Sequence, residues 1–249
     1  MKKKGGNFVE PIKAARLFVT RYFPNCQGAL MAGSVVRGEA TATSDLDIII
    51  FDKEVSSSSR HSLTEFNWPI EVFVHNLTSY QSFFESDRKR ARPSLQRMVA
   101  EGIVLKDDGV IESIKQEANR SLQDGPDKWT EKVIRTKRYF LTDVLEDFIG
   151  ATTRAEELMI VNNLADSVQE FVLRTNGCWL GSGKWIIREL QKFDSDFADQ
   201  FVNAIDRYYR DGEKTKVIEL VDTVLEPFGG RLFNGFSIGT AYQLNNFSK

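Results

Sequence analysis

Two short apolar runs, Ala29-Leu-Met-Ala and Leu46-Asp-Ile-Ile-Ile-Phe, enclose a stretch of small and polar residues, and this arrangement constrains the fold more than any other feature of the chain. Each run is too short for a buried helix of ordinary length but suits a buried strand, and the isoleucines of the second suit a central one. Gly33-Ser34 follows the first run directly, so that strand must end in a tight turn. Residues 35–40 then read as a helix, and Ala42-Thr-Ser as a loop leading into the second strand.

The chemistry of the same stretch is coherent. Gly33 lets the backbone approach a ligand closely and Ser34 adds a hydroxyl. The N-terminal N–H groups and dipole of the expected helix would receive phosphate oxygens. Asp45 and Asp47 stand two apart at the head of the second strand, so their side chains share one face. Neighbouring carboxylates repel unless a cation lies between them. Magnesium takes hard oxygen ligands and commonly bridges carboxylates to substrate phosphates. Two such ions, roughly 3.5–4 Å apart, can stabilise both the attacking and the leaving oxygen of a phosphoryl-type transfer.

Gly33-Ser34, a gap of about ten residues, then Ser44-Asp45-Leu46-Asp47 opening an apolar strand resembles the DNA polymerase β-like nucleotidyltransferase superfamily. The resemblance implies a mixed α/β nucleotidyltransferase domain with a small mixed sheet. It also implies a metal site of two magnesium ions on Asp45 and Asp47 and an NTP substrate, for which ATP is the expectation. Gly33, Ser34 and Ser44 would belong to the nucleotide site. It implies a third carboxylate on a later strand, either completing the metal site or serving as base for the incoming hydroxyl. Glu71 fills that place, because it interrupts the apolar strand Pro69-Ile-Glu-Val-Phe-Val-His, where a charge needs a partner or a metal. Arg37, one turn after Gly33, either touches the triphosphate or sits on the surface. Asp52 reads as a turn residue, and Glu39 and Thr43 as plain loop or helix-end residues.

Helical spacing over 9–23 predicts an amphipathic helix ending before Pro24, and Ser56-Ser-Ser-Ser-Arg-His reads as a polar loop. Residues 77–101 read as helix broken near Pro93, and Gly102 to Gly109 as a strand ending in an Asp-Gly turn. Ile111–Leu122 reads as a further helix, and Asp124-Gly-Pro-Asp as a linker. Beyond it, 129–150, 153–175, 183–192, 196–210 and 213–225 all carry helical periodicity. The expected architecture is therefore α+β: a nucleotidyltransferase domain over 1–124 and an all-α helical bundle over 125–249. That organisation is similar to the aminoglycoside adenylyltransferases of the kanamycin and streptomycin kinds.

Gly181-Ser-Gly-Lys is not a phosphate-binding loop, since Cys178 stands where the earlier glycine should be and Trp185 follows the lysine. Lys184, at a helix start, is either a triphosphate contact, as in helical domains of related nucleotidyltransferases, or a surface lysine. Asp143, Glu146 and Asp147 form a solvated acidic face or meet a cationic acceptor. Trp129, Trp179, Trp185 and Tyr139 serve chiefly as core. The basic run Arg88-Lys-Arg-Ala-Arg reads as a solvated helix face.

A net charge of -2 lowers nucleic acid as a partner, because proteins that wrap duplexes are usually more basic. No signal peptide is read at Met-Lys-Lys-Lys, no apolar run is long enough for a membrane span, and Cys26 and Cys178 read as buried reduced thiols. The expectation is a cytoplasmic monomer or homodimer. It moves a nucleoside monophosphate to a hydroxyl of a small acceptor, aminoglycoside-like or another metabolite, with release of pyrophosphate. The alternative is a non-catalytic nucleotide-binding module of the same fold, regulatory or antitoxin-like.

Overall fold

The computed structural model describes residues 9–239, so the reading of the N-terminal lysines lies outside the described residues. The chain divides into two compact units, Met1–Pro126 and Asp127–Lys249.

The first unit is built on a five-stranded mixed sheet. Its strands are β1 (Gly28–Ala32), β2 (Leu46–Phe51), β3 (Ser59–Glu65), β4 (Trp68–His75) and β5 (Ile103–Asp107), in the order β3-β4-β2-β1-β5. β2 and β4 run parallel, with Asp47 opposite Glu71, and the other pairings are antiparallel. β2 is central and buried on both faces, which is why it reads as an unbroken isoleucine run. Ile48 and Ile50 pack with Met31, Ile70, Val72 and Val74 in a core that includes Ala15 and Phe18 of α1 (Pro11–Tyr22). Ile49 and Phe51 face the other way. They pack with residues of α2 (Ser79–Lys89), α3 (Ser94–Glu101) and α4 (Ile111–Asp124), among them Tyr80, Phe84, Leu95, Val99 and Ile114. Each of these large side chains contributes roughly 1.5–3 kcal/mol through burial, so the strand's position is strongly fixed.

Two expectations for the first unit are corrected. Residues 35–40 do not form a helix. Gly33 and Gly38 both take positive φ, +84° and +73°, and the residues between them close only one turn, through Arg37 N–H to Gly33 O (3.3 Å) and Glu39 N–H to Ser34 O (2.9 Å). The left-handed glycine ends the turn before a second can form. Ser59–His61, expected in the loop, instead opens the edge strand β3. Its residues are largely exposed, so it lacks the apolar alternation that marks a half-buried strand, and its conformation is set by the ladder to β4.

The second unit is helical: α5 (Glu131–Gly150), α6 (Arg154–Thr175), α7 (Trp185–Phe193), α8 (Ser195–Asp211) and α9 (Thr215–Leu225), with a 3-10 turn at Glu226–Phe228. The side chains of Thr130, Thr153 and Asp194 cap α5, α6 and α8 by accepting N–H groups of their first turns, and Gly212 ends α8 at φ +72°. Phe148, Leu164, Phe171, Leu190, Tyr208 and Val221 are among the side chains that fill its core. Trp179 is buried, whereas Cys178 is half-buried rather than enclosed; Cys26 is buried, and both thiols are free. Among the described residues, no helix is long and apolar enough to cross a membrane.

Candidate active site

Asp47 is the second residue of β2, Asp45 immediately precedes that strand, and the parallel register sets Glu71 of β4 beside Asp47. All three are half-buried, and one carboxylate oxygen from each lies within 4.8 Å of the others. Carboxylates so close repel one another unless a cation lies among them. Burial, then the charges of Asp45 and Glu71, push the Asp47 carboxyl up to about 6, against smaller opposition from Arg37 and Arg60. No described residue donates a hydrogen bond to Asp47 that would relieve it. Oxygen-only donors in a strained anionic cluster are what a hard divalent cation requires.

Gly33 is tied to this cluster by space as well as by conformation. A Cβ at that position would lie 1.9 Å from Asp47 Oδ2, and φ is +84°. Only glycine lets the turn lie against the carboxylate. The turn's own bonds use the N–H groups of Arg37, Gly38 and Glu39. The N–H groups of Ser34, Val35 and Val36 stay outside that ladder, as the first N–H groups of a helix do. The anion-receiving role expected of a helix can therefore be met by one turn. Ser34 Oγ donates to Ser44 Oγ at 3.0 Å, and Ser44 Oγ accepts the Thr41 N–H at 2.8 Å, so Ser44 fastens the loop before Asp45 to the turn after β1.

Arg37 is held by two carboxylates, with Glu39 and Glu101 each at 3.1 Å, and its field reaches Asp47. Glu71 accepts Arg60 Nη2 at 2.5 Å and the Ser62 hydroxyl at 3.3 Å. Arg60 and Ser62 lie on β3 and were missed in the sequence. Their signal was faint, a single arginine inside a serine-rich stretch, and it acquires meaning only once β3 is known to pair with β4. Asp52, at the other end of β2, accepts the Glu54 N–H as a turn residue would. Lys184 belongs to the second unit, exposed at the start of α7. Glu146 pairs with Arg231, and Asp143 and Asp147 are exposed. Lys89 and Arg90 of the basic run pair with Glu85 and Asp87.

No known family model matches the sequence, and no curated protein matches it. Among solved structures, a nucleotidyltransferase-like protein from Exiguobacterium sibiricum 255-15 is similar over 88% of this chain and 75% of its own length, with 10% sequence identity and a TM-score of 0.46. At that identity and score the likeness carries no weight for function, which rests on the site's own geometry.

Proposed function

We propose that this protein is a magnesium-dependent nucleotidyltransferase that transfers a nucleoside monophosphate from an NTP, with ATP the expected donor, to a hydroxyl of a small acceptor. The single observation that carries the proposal is the contact between Gly33 and Asp47 within the three-acid cluster. A phosphate-receiving turn and a cation-demanding site adjoin there, which transfer from a triphosphate requires and a purely structural acid cluster does not.

In this reading Asp45, Asp47 and Glu71 hold the cations, which when bound neutralise the phosphate oxygens and the charge that develops as the α-phosphorus is attacked. The N–H groups of the Gly33–Gly38 turn receive the triphosphate tail, and Ser34 and Ser44 set the geometry of that turn. Glu71, held by Arg60 and Ser62, either only completes the cation site or also orients the incoming hydroxyl and takes its proton. The new P–O bond forms to that oxygen, the bond to the bridging oxygen breaks, and pyrophosphate leaves. Arg37 acts on Asp47 through its field and braces the turn through Glu39 and Glu101.

Calorimetry with ATP, with and without Mg²⁺, followed by a pyrophosphate-release assay, tests the proposal. Binding that needs Mg²⁺, and release that disappears in Asp47→Asn, are expected. Undiminished release in that variant would remove the metal role of Asp47.

A further inference from the structure

The sheet face that bears Asp47 and Glu71 continues along β4 to Phe73 and His75, and there the first unit contains a cavity of ≈ 450 Å³. Phe73, Phe83, Leu95 and Met98 give it apolar walls, and Arg60 and Arg90 line it as well. Arg60 joins the cavity to the acids. Its guanidinium pairs with Glu71 and lies 4.9 Å from the centre of the Phe73 ring.

The charges of this lining are unequal in availability. Asp87 is its one acid, and it is 1% exposed. Both its oxygens are engaged, one by Arg90 Nε and Nη2 and the other by the Leu95 N–H. The side chains of Arg60 and Arg90, by contrast, are 60% and 55% exposed. A guanidinium has five donors, and these two commit only part of theirs. His75 adds no charge near neutral pH, because burial lowers its ring to about 4. The cavity therefore offers aromatic and aliphatic surface together with donors for an anion, and no open carboxylate for a cation.

The cavity and the Gly33–Gly38 turn also flank the acids from different strands. The turn approaches Asp47 from β1, whereas the cavity lies on the β3–β4 side and is linked to Glu71 through Arg60, which lines it. With the triphosphate on the turn, an acceptor bound beside Arg60 would meet Glu71 rather than the turn.

We propose that this cavity is the acceptor subsite, and that it takes a ring-bearing hydroxyl compound carrying an anionic group rather than a polycation such as an aminoglycoside. The proposal rests on the nucleotidyltransferase reading and specifies its acceptor class.

Two probes that share a phenol but differ in charge test it: N-acetyl-tyrosine, an anion, and tyramine, a cation. Each is titrated by NMR into the full chain, first without metal or nucleotide, so that the outcome does not depend on whether the acids bind magnesium. N-acetyl-tyrosine should bind at least about ten-fold more tightly than tyramine, a difference of about 1.4 kcal/mol. Phe83→Ala, which truncates a side chain 43% exposed and so should not threaten folding, and Met98→Trp, which fills the space, should each weaken N-acetyl-tyrosine binding by about ten-fold. Equal or tighter binding of tyramine, or unchanged affinity in both variants, would overturn the assignment. Adding Mg²⁺ and ATP then separates acceptor from donor. Simultaneous occupancy supports an acceptor subsite, and displacement of the probe by ATP would give the cavity to the nucleotide instead. If ATP does not bind at all, the parent reading fails, and that failure is visible apart from the result for the cavity.

Discussion

Two corners of the same sheet treat an aspartate in opposite ways. At the end of β5, Asp107 Oδ1 accepts the N–H groups of Gly109, Val110 and Ile111 at 2.8–3.1 Å, and these bonds hold its carboxyl below the ordinary range. At the head of β2, Asp47 receives no such donor, faces two further carboxylates and is pushed up to about 6. The first aspartate leads into a helix: it accepts the N–H groups of Gly109 and Val110 in the preceding turn and that of Ile111, the first residue of α4, and its charge lies at that helix's positive end. The second is costly to the fold, and its charge has a use only if something outside the chain neutralises it. The difference teaches what to ask of an acid: Asp107 has its charge satisfied by donors of its own chain, whereas Asp47 is crowded by other acids and has none among the described residues.

The largest expected effect concerns activity. Asp45→Asn or Asp47→Asn should lower pyrophosphate release by at least about a hundred-fold, the scale of losing one charge-stabilising group, while Asp107→Asn should leave release near the wild-type rate. Comparable rates in all three would erase the distinction between the corners. The next effect is on stability. Gly33→Ala must place a Cβ against Asp47 Oδ2 in a left-handed conformation, and should cost about 3 kcal/mol or more in a denaturant titration. A cost under 1 kcal/mol would show that the turn can back away from the carboxylate.

The two corners were not equally legible in the sequence. β1 and β2 announced themselves through apolar runs, because strands buried on both faces are written as such, and β4 through the alternation of a strand with one face more buried than the other. The helices of the second unit carried clear 3.6-residue periodicity, and three of them open on a threonine or aspartate whose side chain does cap the helix. Asp45, Asp47 and Gly33-Ser34 were legible because their spacing is unusual and chemically coherent. Arg60 and Ser62 were not. A polar edge strand has no periodicity of its own, so β3 is specified by its partner rather than by its composition. The turn after Gly33 was read as a helix because Val35, Val36 and Arg37 fit either; Gly38 decides it, and a single glycine is a weak stop signal within a short window.

The stability of metal-free variants should sharpen the contrast by its sign. Asp107→Ala loses three accepted N–H groups and should destabilise by about 1–2 kcal/mol near neutral pH. Asp47→Asn removes a charge that the fold disfavours and should stabilise by about 1–3 kcal/mol at pH 8. The pH dependence follows from the direction of each shift. The folded-state value of Asp47 is raised, so the fold gains from its proton below the unfolded value near 3.8 and loses that contribution as pH rises through about 6. The benefit of Asp47→Asn should therefore shrink as pH falls below 6. His75 has the opposite sense. Its value is lowered to about 4, so its contribution is present above about 6.5 and lost as pH falls toward 4. Thermal melts of the wild type and Asp47→Asn from pH 4 to 8 check both, and a benefit independent of pH would contradict the assigned cause.

The smallest effect is the most diagnostic of how the cluster is held. Arg37 and Arg60 both oppose the rise of Asp47, Arg37 the more strongly. Carboxyl ¹³C titration of the metal-free protein should therefore show the Asp47 midpoint moving upward in Arg37→Gln and, to a lesser extent, in Arg60→Gln. The two arginines reach the cluster from different sides, Arg37 from the turn after β1 and Arg60 from β3 through Glu71. Arg60→Gln also frees Glu71 from its ion pair, and a second, uncompensated carboxylate then stands beside Asp47. If Arg60→Gln moves the midpoint further than Arg37→Gln, the ion pair with Glu71 governs the charge of the site more than the turn does. Asp107 serves as the internal standard, since its midpoint is set by backbone N–H groups and should stay in place in both variants.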